Sequence, residues 1–150
     1  MNLLGVFSNN VLIAGFSAWG LAQIIKVPLN YLARREWDWA LLLRAGGMPS
    51  SHSALVAATA HSIGLFEGFD TAMFALSVAI AVIVIYDATG IRRQAGKHAE
   101  IINAMVRDLA GGHPLREEQL REVLGHTPLE ALGGMLLGLV VSQLLWFAWR

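Results

Sequence analysis

The sequence contains no cysteine, and charged residues make up only 15% of its 150 positions. The lack of cysteine excludes a disulfide-stapled secreted fold. Eleven basic residues are balanced by eleven acidic ones, which excludes a global basic surface for nucleic acid. A typical globular chain has about 25% charged residues, so the deficit argues against an ordinary soluble domain. Hydrophobic residues make up 55% of the chain; this excess excludes disorder and indicates a small integral membrane protein.

Four apolar stretches are long enough to cross a membrane as helices, for which about 20 residues are needed. They are Leu3–Ile25, Ser50–Phe69, Thr71–Ile91 and Pro128–Trp149. We therefore predict an all-α integral membrane protein, a small bundle of four transmembrane helices. The whole chain, residues 1–150, is expected to form one membrane-embedded domain.

Basic residues are distributed unevenly over the predicted connections. Every lysine and arginine except Arg150 lies in the segments 26–44 and 92–121, whereas the connection 67–70 has none. The positive-inside rule then places both basic segments in the cytoplasm and both termini outside. A short amphipathic cytoplasmic connector helix is predicted within residues 114–124, with an apolar side suited to the bundle or the membrane interface.

A polar segment comes directly before the second predicted span. It contains two glycines, Pro49 and three serines. Pro49 is expected to start a helix whose first amide groups have no intrahelical partner, and such an N-terminus binds anions. Ser50 and Ser51 add hydroxyl donors, and His52 would lie within reach of the anion. The alternative interpretation is an ordinary capped helix start with an interfacial histidine.

A second polar segment follows the third predicted span, on the same side of the membrane. Its candidate functional residues are Asp87, Arg92, Arg93, Lys97 and His98. Guanidinium groups and an ammonium group match phosphate oxygens, and His98 is a candidate nucleophile or acid–base group. A basic flank that only fixes the topology is the alternative. Lys26 and Arg34 are predicted to lie on this side as well.

Three motifs in these segments resemble those of a known superfamily. The sequence Pro49-Ser50-Ser51-His52 resembles the Pro-Ser-Gly-His motif of the type 2 phosphatidic acid phosphatases, which include the vanadium haloperoxidases. Arg92 and His98 resemble the third motif, and Lys26 followed by Arg34 resembles the first. The stretches GGMPSSHSA and YDATGIRRQAGKHAEIIN are similar to the divergent branch of the superfamily, which consists of short, four-span bacterial and plastid proteins.

The resemblance implies a phosphomonoesterase that needs no metal or cofactor and acts through a phosphohistidine. By this resemblance His98 attacks phosphorus, and His52 protonates the leaving oxygen. The side chains implied to bind the phosphate are Lys26, Arg34, Ser50, Ser51, Arg92, Arg93 and Lys97. Cations at these positions would stabilise the charge on the transferred phosphoryl group.

The chain departs from the superfamily pattern at several positions. Ser51 replaces the usual glycine, and the aspartate expected four residues after the nucleophile is Ile102. Another group must then orient His98; the candidates are Asp87, Glu100 and Asn103. On a continuous helix Asp87 and His98 would be about 16 Å apart along the axis, so they meet only if a glycine interrupts the helix.

The expected location of the site limits the choice of substrate. We expect a bacterial cytoplasmic membrane and a site that faces the cytoplasm, where phosphatidylglycerophosphate is made. This lipid is the favoured substrate; phosphatidic acid and undecaprenyl diphosphate are alternatives. A non-catalytic lipid- or anion-binding protein or a small transporter is the competing class. Metal-dependent chemistry at Asp87, His98 and Glu100 is a third interpretation.

Several other residues receive structural interpretations. Thr127, Pro128 and Glu130 have the pattern of a capped helix start. Gly134 and Gly138 form a GxxxG motif, which suits either packing within the chain or a homodimer. The remaining histidines outside the motifs are assigned no catalytic role: His61 is expected to form a structural hydrogen bond, and His113 and His126 are expected to be loop residues.

Overall fold

The computed structural model describes residues 3–43, 46–109 and 126–150. Its α-helices are α1 (Asn10–Arg34), α2 (Ser51–Glu67), α3 (Ala72–Thr89), α4 (Ile91–Leu109) and α5 (Pro128–Trp149). Two 3-10 turns, Leu3–Ser8 and Trp39–Leu42, flank α1. These ranges contain no strand, so the all-α prediction is confirmed for them. The predicted connector helix at 114–124 and His113 lie outside the described residues.

Three of the described helices, α1, α3 and α5, are long and apolar enough to cross a membrane. They correspond to the first, third and fourth predicted spans. Helix α2 has 17 residues, which is about 25 Å of helix against a hydrocarbon core of about 30 Å. The second of the four spans therefore stays a prediction.

The limits of α1 differ from those of the first predicted span. The Asn9 side chain accepts a hydrogen bond from the backbone of Leu12 and caps a helix that starts only at Asn10. At the other end, Pro28 lies inside the helix without ending it; membrane helices tolerate such prolines. Lys26, which we expected at the start of a cytoplasmic connection, is therefore part of α1.

Helix α2 lies at the centre of the bundle and packs against α1, α3 and α5. Among the residues that the structure describes, the fully buried hydrophobic side chains are all alanines: Ala14, Ala18, Ala22, Ala54 and Ala58. Small side chains let helix backbones approach closely, which is how helices associate when surrounded by lipid. Helix α3, by contrast, buries only Ala81 and Ala88, so most of its apolar surface faces outward.

The glycine motif of α5 packs against α2. A Cβ atom at Gly134 would overlap the carbonyl oxygen of Ser50, and one at Gly138 would overlap that of Ala54. Because both numbers rise together along the two helices, α2 and α5 are parallel, with their N-termini at the same end. The glycines therefore serve packing within the chain. The glycine face is occupied by α2 and has no free surface for a second copy of the chain, and the homodimer itself stays a prediction.

His61 has the structural role expected for it. Its Nδ1 atom lies 2.8 Å from Ser142 Oγ, across the interface between α2 and α5. The hydroxyl of Ser142 also approaches the carbonyl oxygens of Gly138, at 2.8 Å, and Leu139, at 3.0 Å. This pair joins the second half of α2 to α5.

Gly90 separates α3 from α4. Helix α3 ends at Thr89, the backbone N–H of Gly90 donates to the carbonyl of Tyr86, and α4 begins at Ile91. Of the two glycines between Asp87 and His98, Gly90 and Gly96, it is Gly90 that interrupts the helix. Asp87 and His98 lie on different helices as a result.

Candidate active site

A buried lysine lies at the end of the bundle where α2 and α5 begin. Lys26 is only 1% exposed, although lysine is almost never fully buried without partners. Its Nζ atom donates to Ser51 Oγ at 3.4 Å and to the Gln23 side-chain oxygen. The carboxylate of Glu130, on α5, acts on this ammonium group electrostatically. The cation is therefore held at the junction of three helices.

The segment before α2 brings the backbone to this junction. Gly46 and Gly47 have φ values of 103° and 80°, in the left-handed region that glycine adopts without steric cost. Ser50 then caps α2: its Oγ atom accepts from the backbone N–H of Ser53 at 3.3 Å and from the Ser53 hydroxyl at 3.1 Å. Both serines are completely buried. A helix start is confirmed in this segment, but the helix begins at Ser51 and Pro49, which was expected to start it, precedes the Ser50 cap.

A backbone hydrogen bond joins the first residues of α2 and α5. The N–H of Ser50 donates to the carbonyl oxygen of Glu130 at 2.9 Å. The unpaired N–H groups of a helix N-terminus carry a partial positive charge. Because the two helices are parallel, the N-terminus of α2 and the Lys26 ammonium contribute positive potential to the same region, which also contains the Glu130 carboxylate at the start of α5. An anion with several oxygens, such as phosphate, suits this region.

His126 lies in the same region and is bound to a carboxylate. It precedes the Thr127 cap of α5 and is 5% exposed. Its backbone N–H donates to the carbonyl of Ala88 at 3.0 Å, which ties it to the end of α3. Its Nδ1 atom lies 3.2 Å from Glu130 Oε2. Since an ionised carboxylate only accepts hydrogen bonds, Nδ1 is the donor in this pair.

Glu130 is fixed by the first turn of α5. The same Oε2 atom accepts from the backbone N–H of Thr127 at 2.9 Å, and the Thr127 hydroxyl accepts from the Glu130 N–H at 3.3 Å. This reciprocal pair is the predicted capping box, and it is confirmed. The carboxylate therefore caps the helix and orients His126 at once.

The two histidines of the region face each other. The ring centroids of His52 and His126 are 6.1 Å apart, and the ring planes are inclined by 57°. His52 is half-buried. We refer to Lys26, Ser51, His52, His126 and Glu130 as the polar cluster. It combines a cation, a hydroxyl donor, two proton-carrying rings and a carboxylate, which is sufficient for binding phosphate and transferring protons.

The structure brings some of the predicted site residues to this cluster. Lys26 and Ser51 are hydrogen-bonded to each other, with Ser50 and His52 as neighbours in the chain. Asp87 is half-buried and precedes Ala88, whose carbonyl accepts from His126. It thus approaches the cluster from the end of α3.

Arg34 and His98 are not brought to it. Arg34 is exposed at the end of α1, eight residues and about 12 Å beyond Lys26. His98 is exposed on α4, and Ile102, four residues later, is also exposed. Arg92, Arg93 and Lys97 lie in the first two turns of α4, and their side chains, like that of Glu100, are outside the described residues.

His126 and Glu130 were not among the predicted site residues. His126 was expected to be a loop residue, which agrees with its position before α5, but a loop role does not account for a buried ring with fixed partners. A signal was present: Glu130 follows His126 by four residues, the His–acid spacing that the resemblance led us to seek, and not find, after His98. Interpreting Glu130 only as a cap concealed this spacing.

The comparisons with known proteins agree with this architecture. A family model described as the divergent PAP2 family matches residues 7–141, a range that includes the whole polar cluster. An uncharacterized membrane protein, YuiD, from Bacillus subtilis (strain 168) is 38% identical over 151 residues, covering 93% of this chain and 96% of that protein. No solved structure matches the chain. The chain is a membrane protein that belongs to the divergent PAP2 family.

Proposed function

We propose that this protein is a membrane phosphatase that hydrolyses a phosphomonoester lipid through a phosphohistidine. The observation that carries the proposal is the polar cluster, where a buried lysine, two helix N-termini and a carboxylate-bound histidine lie beside a second histidine. Membership of the divergent PAP2 family supports the same reaction class.

In this proposal His126, in place of His98, is the nucleophile. Glu130 accepts a hydrogen bond from Nδ1 and fixes the ring, the arrangement by which a third group orients a reactive one, and Nε2 is the atom to which we assign the attack. Nε2 forms a bond to phosphorus while the bond from phosphorus to the lipid oxygen breaks. His52, in the protonated form, donates a proton to that oxygen, and the lipid alcohol leaves.

The second half of the reaction restores the enzyme. Water attacks the phosphohistidine, the P–N bond breaks, and His52 accepts the proton that water releases. Lys26, the Ser51 hydroxyl and the first amides of α2 stabilise the phosphoryl oxygens in both steps. The roles predicted for Arg34, Arg92, Arg93 and Lys97 in binding the phosphate, and for Asp87 in orienting a catalytic group, stay predictions.

Phosphatidylglycerophosphate is the substrate we propose, because the polar cluster lies at the end of the bundle that the positive-inside rule assigns to the cytoplasm. The basic segments 26–44 and 92–97 reach the same end, since α1 leads to it and α3 ends there. The site would then open to the leaflet where this lipid is made, in the cytoplasmic membrane of a bacterium.

The test is release of inorganic phosphate by the purified protein in mixed micelles, in the presence of excess chelator. Phosphatidylglycerophosphate, phosphatidic acid and undecaprenyl diphosphate are compared, and a His52→Ala preparation controls for contaminating phosphatases. We expect chelator-resistant turnover that favours the first lipid. Saturable lipid binding without turnover of any of the three would instead identify a non-catalytic binding protein.

A further inference from the structure

An apolar groove runs along the outside of the bundle where α1, α2 and α3 meet. It encloses about 380 Å³, and its lining is almost entirely hydrocarbon. Leu55, Thr59 and Ile63 of α2 form its floor, Phe16 of α1 lies on one side and Ile80 of α3 on the other. The side chains of Phe16 and Ile80 are 61% and 50% exposed, so the groove is open towards the membrane.

The groove begins where the polar cluster ends. Leu55 and Thr59 follow His52 by three and seven residues, so the three side chains share one face of α2. From Ser51 to Leu55 the distance along the helix is about 6 Å, and from Leu55 to Ile63 it is about 12 Å. Helix α3 runs in the opposite direction, so Ile80 marks the near end of the groove and Met73 the far end.

We propose that this groove holds one acyl chain of the phospholipid substrate; this inference rests on the proposed function. A phosphate bound at the polar cluster would leave about one helical turn for the glycerol unit before the groove begins. The groove then follows the direction in which an acyl chain enters the bilayer. Thr59 and Ser77 are the polar side chains of its lining, and the rest offers dispersion contacts to methylene groups.

The proposal defines the substrate as a lipid with long chains. Matched variants on α3 test it, because Ile80 lines the groove whereas Val82, which is 61% exposed, does not. We expect Ile80→Trp to raise the KM for a long-chain substrate about tenfold, through the loss of many close carbon contacts. A dihexanoyl analogue should show no change, and Val82→Trp should match the native protein with both substrates. Equal KM values for the two variants would overturn the proposal.

A binding measurement separates the groove from the catalysis. The full chain carrying His126→Ala is reconstituted in phosphatidylcholine bilayers with phosphatidylglycerophosphate that bears a mid-chain diazirine, and the photoadducts are mapped. We expect adducts in segments 55–63 and 73–80, and their loss in the double variant with Ile80→Trp. Adducts spread evenly over outward-facing residues such as Ile83, or a second copy of the chain crosslinked at the groove, would overturn the proposal.

The two failures are distinguishable. Localised adducts that disappear with Ile80→Trp, in a protein that turns over none of the lipids, would support the groove and reject the phosphatase. Turnover of the lipid by the native protein together with evenly spread adducts would support the phosphatase and reject the groove.

Discussion

His126 directly precedes the cap of α5, and His98 is the eighth residue of α4. The two histidines differ in how far they are exposed. His126 is 5% exposed and bound to a carboxylate and to a backbone carbonyl. His98 is exposed, four residues before an exposed isoleucine. The segment around His98 has the denser set of motif residues, whereas His126 has partners that fix its ring. A histidine nucleophile needs an oriented ring, and the orientation depends on hydrogen-bond partners rather than on which residues are adjacent in the sequence.

The sharpest way to break this comparison is to remove each ring. We expect His126→Ala to lower kcat for phosphate release by at least about 10³-fold, since the nucleophile is lost. The matched variant His98→Ala should change kcat by less than about threefold, the range of an exposed interaction. The measurement is single-turnover phosphate release, with acid-labile labelling of the protein as the signature of a phosphohistidine. A large loss for His98→Ala with labelling intact in His126→Ala would restore His98 as the nucleophile.

Lys26 and Arg34 extend the comparison to buried and exposed cations. Lys26→Met removes the ammonium group beside Ser51, and we expect a loss of about 10²–10³-fold in kcat/KM, as for other groups that stabilise transition-state charge. Arg34→Met should cost about threefold or less.

Thermal unfolding controls this pair of variants. Removing one member of a buried charge pair is destabilising because the other member loses its partner, so Lys26→Met should lower the melting temperature, and its activity is compared with that of the native protein well below that temperature. If its activity fell only together with its stability, Lys26 would have a structural role.

Glu130 and Thr127 separate orientation from capping. Glu130→Gln keeps an oxygen for the Thr127 N–H but loses the charge that holds His126 Nδ1–H. We expect kcat to fall about 10–100-fold, the usual size of an effect exerted through an orienting group. Thr127→Val removes the other half of the capping box and should cost about 1 kcal/mol of stability with kcat preserved. Equal losses of activity in both variants would mean that the helix start as a whole, rather than the carboxylate, supports the reaction.

Much of the fold follows from local patterns in the sequence. Thr127, Pro128 and Glu130 predict the start of α5 because capping depends on residues within one turn. The first predicted span begins too early, at Leu3, because the apolar stretch extends that far. The Asn9 cap decides where α1 begins. Local chemistry thus sets helix limits better than hydropathy does.

The candidate site was only partly predictable. Ser50 to His52 could be identified because the motif is contiguous. The approach of His126 could not, since it depends on a contact with Ala88, 38 positions earlier, and with the His52 ring, 74 positions earlier. Such contacts arise from the parallel packing of α2 and α5, which no local pattern specifies.

The packing of α2 on α5 is the remaining link, and two neighbouring glycines test it. A Cβ atom at Gly134 would overlap the Ser50 carbonyl and come within 3.0 Å of Ser53 Cβ, whereas one at Gly133 would meet the flexible end of Met48 at 3.3 Å. Gly134→Ala must therefore move the two helix starts apart, and we expect a loss of about 1–3 kcal/mol of stability, the usual cost of overpacking. Gly133→Ala should be close to neutral, since alanine favours the helix and Met48 can shift. Melting temperatures in detergent provide the measurement.

Because Ser50 lies beside the cluster, Gly134→Ala should also raise the KM of the protein that remains folded. Unchanged kinetics would show that the histidines keep their geometry without close contact between the two helices.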